Sequence, residues 1–131
     1  MKKMLPMLLL LSLALTGCAA SAPVSETNTY RRITMQEAME MMAAEENHII
    51  LDVRTQQEYA AGHIPGAIVI PNETIGTKEI PQLPDKDQLI MVYCRSGNSS
   101  KQASDKLVKL GYTNIVEFGG IIDWPGEIVA E

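Results

Sequence analysis

The 131-residue chain has little of what builds metal or dithiol chemistry: two cysteines, two histidines, one phenylalanine and one tryptophan. Cys18 and Cys94 form no Cys-x-x-Cys pair, and His48 and His63 stand apart, so neither a zinc site nor a thioredoxin-type dithiol is supported. A stripe of methionines, with Ala38, Met39 and Met42 at helical spacing, lacks the second Met or His set that copper would need and reads as gap-filling core. The apolar run from Met4 to Leu15 is too short for an ordinary membrane-spanning helix. Basic residues are few, 11 against 16 acidic ones for a formal charge of −5, which excludes nucleic acid as an expected partner. There is no internal repeat. The chain is long enough for one compact domain and too short for two.

Lys2 and Lys3 ahead of the apolar run have the form of an export signal. The run ends in Leu15-Thr16-Gly17-Cys18, which resembles a bacterial lipobox. That resemblance implies a lipoprotein signal over 1–17, lipid on Cys18, and a membrane anchor on the extracytoplasmic side. An ordinary secretory cut near Ala20 or Ala22, or an uncleaved anchor, is the alternative. Residues 18–29, rich in Ala, Ser and Thr, read as a flexible linker, which leaves 30–131 as the domain. Loss of Lys2 and Lys3 takes the formal charge from −5 to −7. With Cys18 acylated, Cys94 is the only thiol left, and no internal disulfide is possible. A lone thiol in an oxidising compartment suits chemistry that stores a group on sulfur better than dithiol reduction.

The densest chemical signal is Leu89-Ile90-Met91-Val92-Tyr93-Cys94-Arg95-Ser96-Gly97-Asn98-Ser99-Ser100-Lys101. Its first six residues are an apolar run rich in β-branched and aromatic side chains, which reads as a buried strand ending at Cys94. Small polar residues follow, and then a helical pattern in which Ala103, Leu107 and Leu110 mark the buried face. Strand, tight loop and helix converge loop N–H groups and the positive end of a helix dipole on one point. Such surroundings favour a thiolate over a thiol, and the thiolate is the nucleophile. A small inert hydrophobe at a strand end is the other reading of Cys94.

The remaining pattern alternates strands and helices. Tyr30 to Ile33 reads as an edge strand, and Thr34-Met35-Gln36-Glu37 and Thr55-Gln56-Gln57-Glu58 have the capping-box form that opens a helix. Ile49 to Val53, Ala67 to Ile70 and Ile115 to Phe118 read as strands, with a long surface connection from Asn72 to Gln88. His48, after the first helix, is expected to be a surface residue or a residue of that helix's C-terminus. Arg54 is expected to pair with Glu58, and Asp52 to brace loops at the strand's carboxyl edge, where open α/β sheets bind ligands, with a charge lining the pocket rim as the alternative. His63 is expected to be structural, with general base as the alternative, and Trp124 to anchor packing, with pocket lining as the alternative.

Cys94-Arg95-Ser96-Gly97-Asn98-Ser99-Ser100 resembles the active-site loop of rhodanese-domain sulfurtransferases. Leu51-Asp52-Val53-Arg54, Glu58-Tyr59, Gly62-His63-Ile64-Pro65-Gly66-Ala67, Gly111-Tyr112, Gly119-Gly120 and Trp124 follow that family's marks in order. The resemblance runs from about Tyr30 to the end. It implies an α/β, rhodanese-like, doubly wound open sheet of about five mostly parallel strands with helices on both faces. It implies catalysis by Cys94, with Arg95, Ser96, Gly97, Asn98, Ser99 and Ser100 binding substrate and no metal or cofactor. The expected substrates are a small anionic sulfur donor such as thiosulfate and a cyanide or thiol acceptor, a protein among the possible acceptors. Phosphatases and arsenate reductases resembling this fold close a longer loop with an Arg, where this chain has Ser100. A tethered sulfur carrier without turnover of its own is the reading from another class. The commonest rhodanese loop has a second Arg where Ser99 stands, a change expected to alter donor preference more than reaction type.

Overall fold

The computed structural model describes residues 29–131; the signal, Cys18 and the linker up to residue 28 lie outside the described residues. Five strands form one sheet, β1 (Arg31–Arg32), β2 (His48–Asp52), β3 (Ile68–Val69), β4 (Leu89–Cys94) and β5 (Ile115–Gly120). Three helices, α1 (Met35–Ala44), α2 (Gln56–Ala61) and α3 (Asn98–Lys109), connect or flank them. The strand order is β1-β5-β4-β2-β3, and every paired neighbour is parallel. The sheet therefore has the doubly wound α/β form, with β4 at its centre and β1 and β3 as two-residue edges.

All six residues of β4 are buried, because a central parallel strand has a helix layer on each side. On one face Leu51, Ile90, Val92 and Ile115 pack with Ala103 and Leu107 of α3. On the other, Ile50, Met91, Tyr93 and Val116 pack with Ala38 of α1, and Met35, Met41 and Met42 close over them. The methionines are thus core, as their spacing indicates, although the packed positions are 35, 41 and 42 and Met39 is not among them. One helical turn separates Ala38 from Met41 and Met42, which puts all three on the sheet side.

Thr34 caps α1 with a complete capping box: its hydroxyl accepts from Glu37 N–H at 3.0 Å, and Glu37 accepts from Thr34 N–H at 3.2 Å. Thr55 caps α2 in the same way on the hydroxyl side. His48 differs from expectation. It is the first residue of β2, half-buried, with its ring Nδ1 on the Glu45 carbonyl. Its pairing with Leu89 continues the β2–β4 ladder, so tertiary pairing extends the strand one residue before the apolar run begins. The long connection after β3 carries a single 3-10 turn at Asn72–Thr74, and β5 runs on through Gly119 and Gly120, two residues beyond the expected end.

Candidate active site

Cys94 ends β4 and is 3% exposed. The Gly97 N–H donates to its Sγ at 2.9 Å, and Ser100 Oγ lies 3.3 Å from the same sulfur. Gly97 brings this about by adopting φ +105°, a left-handed conformation that a side chain would strain, at the N-cap of α3. The chain thus turns back over the sulfur, and the positive end of the twelve-residue α3 opens beside it. An anion on this sulfur is stabilised by both.

β5 holds the loop from behind. Gly120 sits opposite Cys94 after a register shift between Val92 and Cys94. Its backbone is extended, but a Cβ there would fall 2.1 Å from the Arg95 carbonyl oxygen and 2.5 Å from Ser96 Cα. Only glycine admits this approach. The Ile122 N–H then donates to the Arg95 carbonyl at 3.3 Å and fixes the loop's first residue.

Cys94 opens on a cavity of about 290 Å³ at the carboxyl edge of the sheet. Arg95, Ser96, Asn98 and Ser99 line one part of it, and Val53, Arg54, Thr55, Glu58 and Glu73 the other. Two guanidinium and two carboxylate side chains therefore share the wall. Gly97 and Ser100 are not lining residues: both are buried, and they meet the sulfur itself.

Arg54 does not pair with Glu58 as expected. It pairs with Asp52, Nη2 to Oδ2 at 2.6 Å and Nε to both oxygens at 3.0 and 3.1 Å, and also donates to the Gly62 carbonyl at 2.6 Å. The reason is burial. Asp52 is 0% exposed and needs a charged partner, whereas Glu58 is half-buried beside the Thr55 hydroxyl at 3.1 Å. Desolvation opposes the Arg54 charge, but the hydrogen bonds and charge of Asp52 outweigh it and raise its pKa. Tyr93 donates its hydroxyl to Asp52 at 2.8 Å and accepts the Ile64 N–H at 3.1 Å. Burial first, and the Asp52 carboxylate with it, pushes that phenol far above its ordinary pKa.

Glu117 is a residue that the sequence reading did not single out. It is 1% exposed in β5, and its Oε1 lies 2.7 Å from Ser100 Oγ and accepts the Gly119 N–H at 2.9 Å. Its Oε2 faces the exposed Arg32 Nε at 3.4 Å. The available signal was a lone carboxylate inside Ile115-Val116-Glu117-Phe118, since a charge within a buried strand needs a partner.

His63 stacks on Tyr59 with ring centroids 3.7 Å apart, and its Nδ1 lies 2.8 Å from the Tyr59 carbonyl. It does not line the Cys94 cavity, and its backbone bridges Val129, so its surroundings are those of a packing residue. Trp124 packs on Phe118 at 6.0 Å between centroids and donates its indole N–H to the Glu127 carbonyl.

Residues 34–126 match the family model described as the Rhodanese-like domain. The thiosulfate sulfurtransferase PspE of Escherichia coli (strain K12) is 37% identical over 73 residues, 56% of this chain and 70% of that protein. The thiosulfate sulfurtransferase GlpE of Pseudomonas entomophila is 35% identical over 103 residues, 75% of this chain and 91% of that one. Among solved structures, a rhodanese with anions from E. coli superposes with a TM-score of 0.59 at 33% identity, covering 64% of this chain and 99% of that one.

Proposed function

The chain belongs to the rhodanese-like domain family, and from that premise we propose which residues carry its chemistry and which substrates it takes. It is a sulfurtransferase. In our reading the Cys94 thiolate attacks the outer sulfur of a small anionic donor such as thiosulfate; the donor's S–S bond breaks and sulfite leaves with its electron pair. A Cys94 persulfide remains, and a thiol or cyanide then takes its outer sulfur and releases the Cys94 thiolate. The observation that carries this reading is the sulfur itself, opening on a cavity while held by the Gly97 N–H at 2.9 Å.

Arg95, Ser96, Asn98 and Ser99 line that cavity and are assigned to the donor's oxygens, with Arg95 the charged member on the loop. Gly97 and Ser100 are assigned to the sulfur. Oxyanion chemistry of the phosphatase kind is disfavoured, because the residue at 100 is a serine beside a buried carboxylate, where a guanidinium clamp would be needed. The Glu58 and Glu73 carboxylates on the wall suit an acceptor that is not purely anionic, and a protein cysteine is among those that fit.

Intact mass of the purified protein before and after thiosulfate, followed by cyanide with a thiocyanate assay, tests this. A gain of one sulfur on Cys94 that cyanide removes, with repeated turnover, is the expected result; Cys94→Ser abolishes both. Sulfur gain without turnover would make the protein a carrier, and no gain would refute thiosulfate as donor.

For localisation, the Leu15-Thr16-Gly17-Cys18 sequence supports an exported protein anchored by lipid on Cys18 to the extracytoplasmic side of a bacterial membrane. Cys18→Ser is then expected to leave the membrane fraction, and a variant that stays equally bound refutes the anchor.

A further inference from the structure

The geometry points to Glu117 as a positioning residue for sulfur transfer, one that shares the Cys94 proton through the Ser100 hydroxyl. Ser100 Oγ stands between the two groups, 3.3 Å from Cys94 Sγ and 2.7 Å from Glu117 Oε1. It carries one hydrogen, and its other neighbours, the Gly97 carbonyl at 3.0 Å and the Gly119 carbonyl at 3.4 Å, can only accept. All three side chains are buried, so water does not compete for this hydrogen as it would at the surface.

Two arrangements satisfy the chain. With Glu117 ionised, the hydroxyl hydrogen turns to the carboxylate, and an oxygen lone pair faces the sulfur. That suits an S–H donor. With the sulfur ionised, the hydroxyl hydrogen turns to Sγ, and a protonated Glu117 donates to Ser100 Oγ across the 2.7 Å contact. The arrangements interconvert by one concerted shift. The S–H bond breaks as a new Ser100 O–H forms, the old Ser100 O–H breaks as a carboxyl O–H forms, and one negative charge passes from Glu117 to Cys94. Nothing else is consumed. The nucleophilic sulfur thus appears together with a neutral Glu117, and the pair never needs two adjacent buried anions.

The charges around this hydrogen-bonded chain come from several elements. Arg32 of β1 faces Glu117 Oε2 at 3.4 Å but is largely exposed. The N-terminus of α3 carries Ser100. Arg54 and Glu58, next to β2 and on α2, share the Cys94 cavity with Arg95 of the loop and Glu73 of the 3-10 turn.

The inference rests on Cys94 as the nucleophile, and its test needs no sulfur donor. The rate of Cys94 alkylation by iodoacetamide is followed against pH on the full chain, read at Cys94 by peptide mass. Glu117→Gln keeps an oxygen for the Gly119 N–H and the Ser100 hydroxyl but cannot take the proton, so the sulfur must lose it to solvent and the acid limb moves to higher pH by about one unit. Ser100→Ala removes the bridge but keeps the carboxylate, and the limb again moves to higher pH by about one unit. A carboxylate that acted only through its charge would oppose ionisation of the sulfur, and its removal would move the limb to lower pH; a merely structural role would leave the limb in place. Superposition of either variant on the wild type, or a downward shift in Glu117→Gln, overturns the proposal. If Glu117→Gln does not fold, Glu117→Met takes its place under the same criterion. Failure of thiosulfate as a donor leaves this readout unaffected.

Discussion

Gly120→Ala tests how tightly β5 holds the active-site loop. The φ of −129° and ψ of 152° at this residue are open to alanine, so any effect comes from contact and not from backbone strain. The added methyl would lie 2.1 Å from the Arg95 carbonyl oxygen, where ordinary contact begins at 3.4 Å; the loop or the strand must therefore yield by about 1.3 Å. Because the neighbouring atoms at 2.4 and 2.5 Å are also loop backbone, no flexible side chain can absorb the displacement. A shift of about 1 Å in a reacting group is worth roughly 10²-fold in rate, and overpacking of this kind costs about 1–3 kcal/mol. The expected outcome is a loss of about two orders of magnitude in kcat/KM for thiocyanate formation from thiosulfate and cyanide, with a modest fall in urea midpoint. Gly76→Ala is the control, since a Cβ there meets nothing within 4 Å. A Gly120→Ala protein with wild-type activity and stability would refute the reasoning.

Asp52→Ala leaves the Arg54 guanidinium without its carboxylate and the Tyr93 hydroxyl without its acceptor, so urea denaturation should show a loss of about 3–5 kcal/mol. Because burial raises the Tyr93 pKa, the folded state keeps a proton that the unfolded state releases above about pH 10. Stability contributed by Tyr93 is therefore full below that pH and falls as pH rises through the folded value; Tyr93→Phe should flatten the alkaline limb of a stability–pH curve, and an unchanged limb would count against it. His63→Ala removes a stacked pair and a buried polar contact, for an expected loss of about 1–3 kcal/mol. Its turnover per folded molecule should stay near wild type, and a folded but inactive variant would make His63 part of the chemistry.

Much of the site was legible because it is local. Cys94, Gly97 and Ser100 lie within one strand–loop–helix segment, where the apolar run, the glycine and the polar residues dictate their own geometry. The capping residues Thr34 and Thr55 were legible for the same reason, since each acts on an N–H three residues away. Arg54 was misassigned because two carboxylates lie within reach of it in sequence, and burial chose between them. Asp52 is enclosed by β4 and by Tyr93, whereas Glu58 has access to solvent. Nothing in the local pattern distinguishes the two.

The amino-acid sequence by itself determined the order of strands and helices, the buried central strand, the family and the strand-end position of the cysteine on which the candidate site is built. Each follows from hydrophobic periodicity, helix-start signals or a contiguous motif, and these act over a few residues. Only the tertiary structure decided that Glu117 lies under Ser100, that Gly120 presses on Arg95, and that Tyr93 joins the Asp52–Arg54 pair. These contacts depend on the strand order β1-β5-β4-β2-β3, which sets β5 and β2 on either side of β4. A parallel sheet forms such neighbours through long crossovers, so their partners are fixed by packing across the whole domain and not by the residues beside them in the chain.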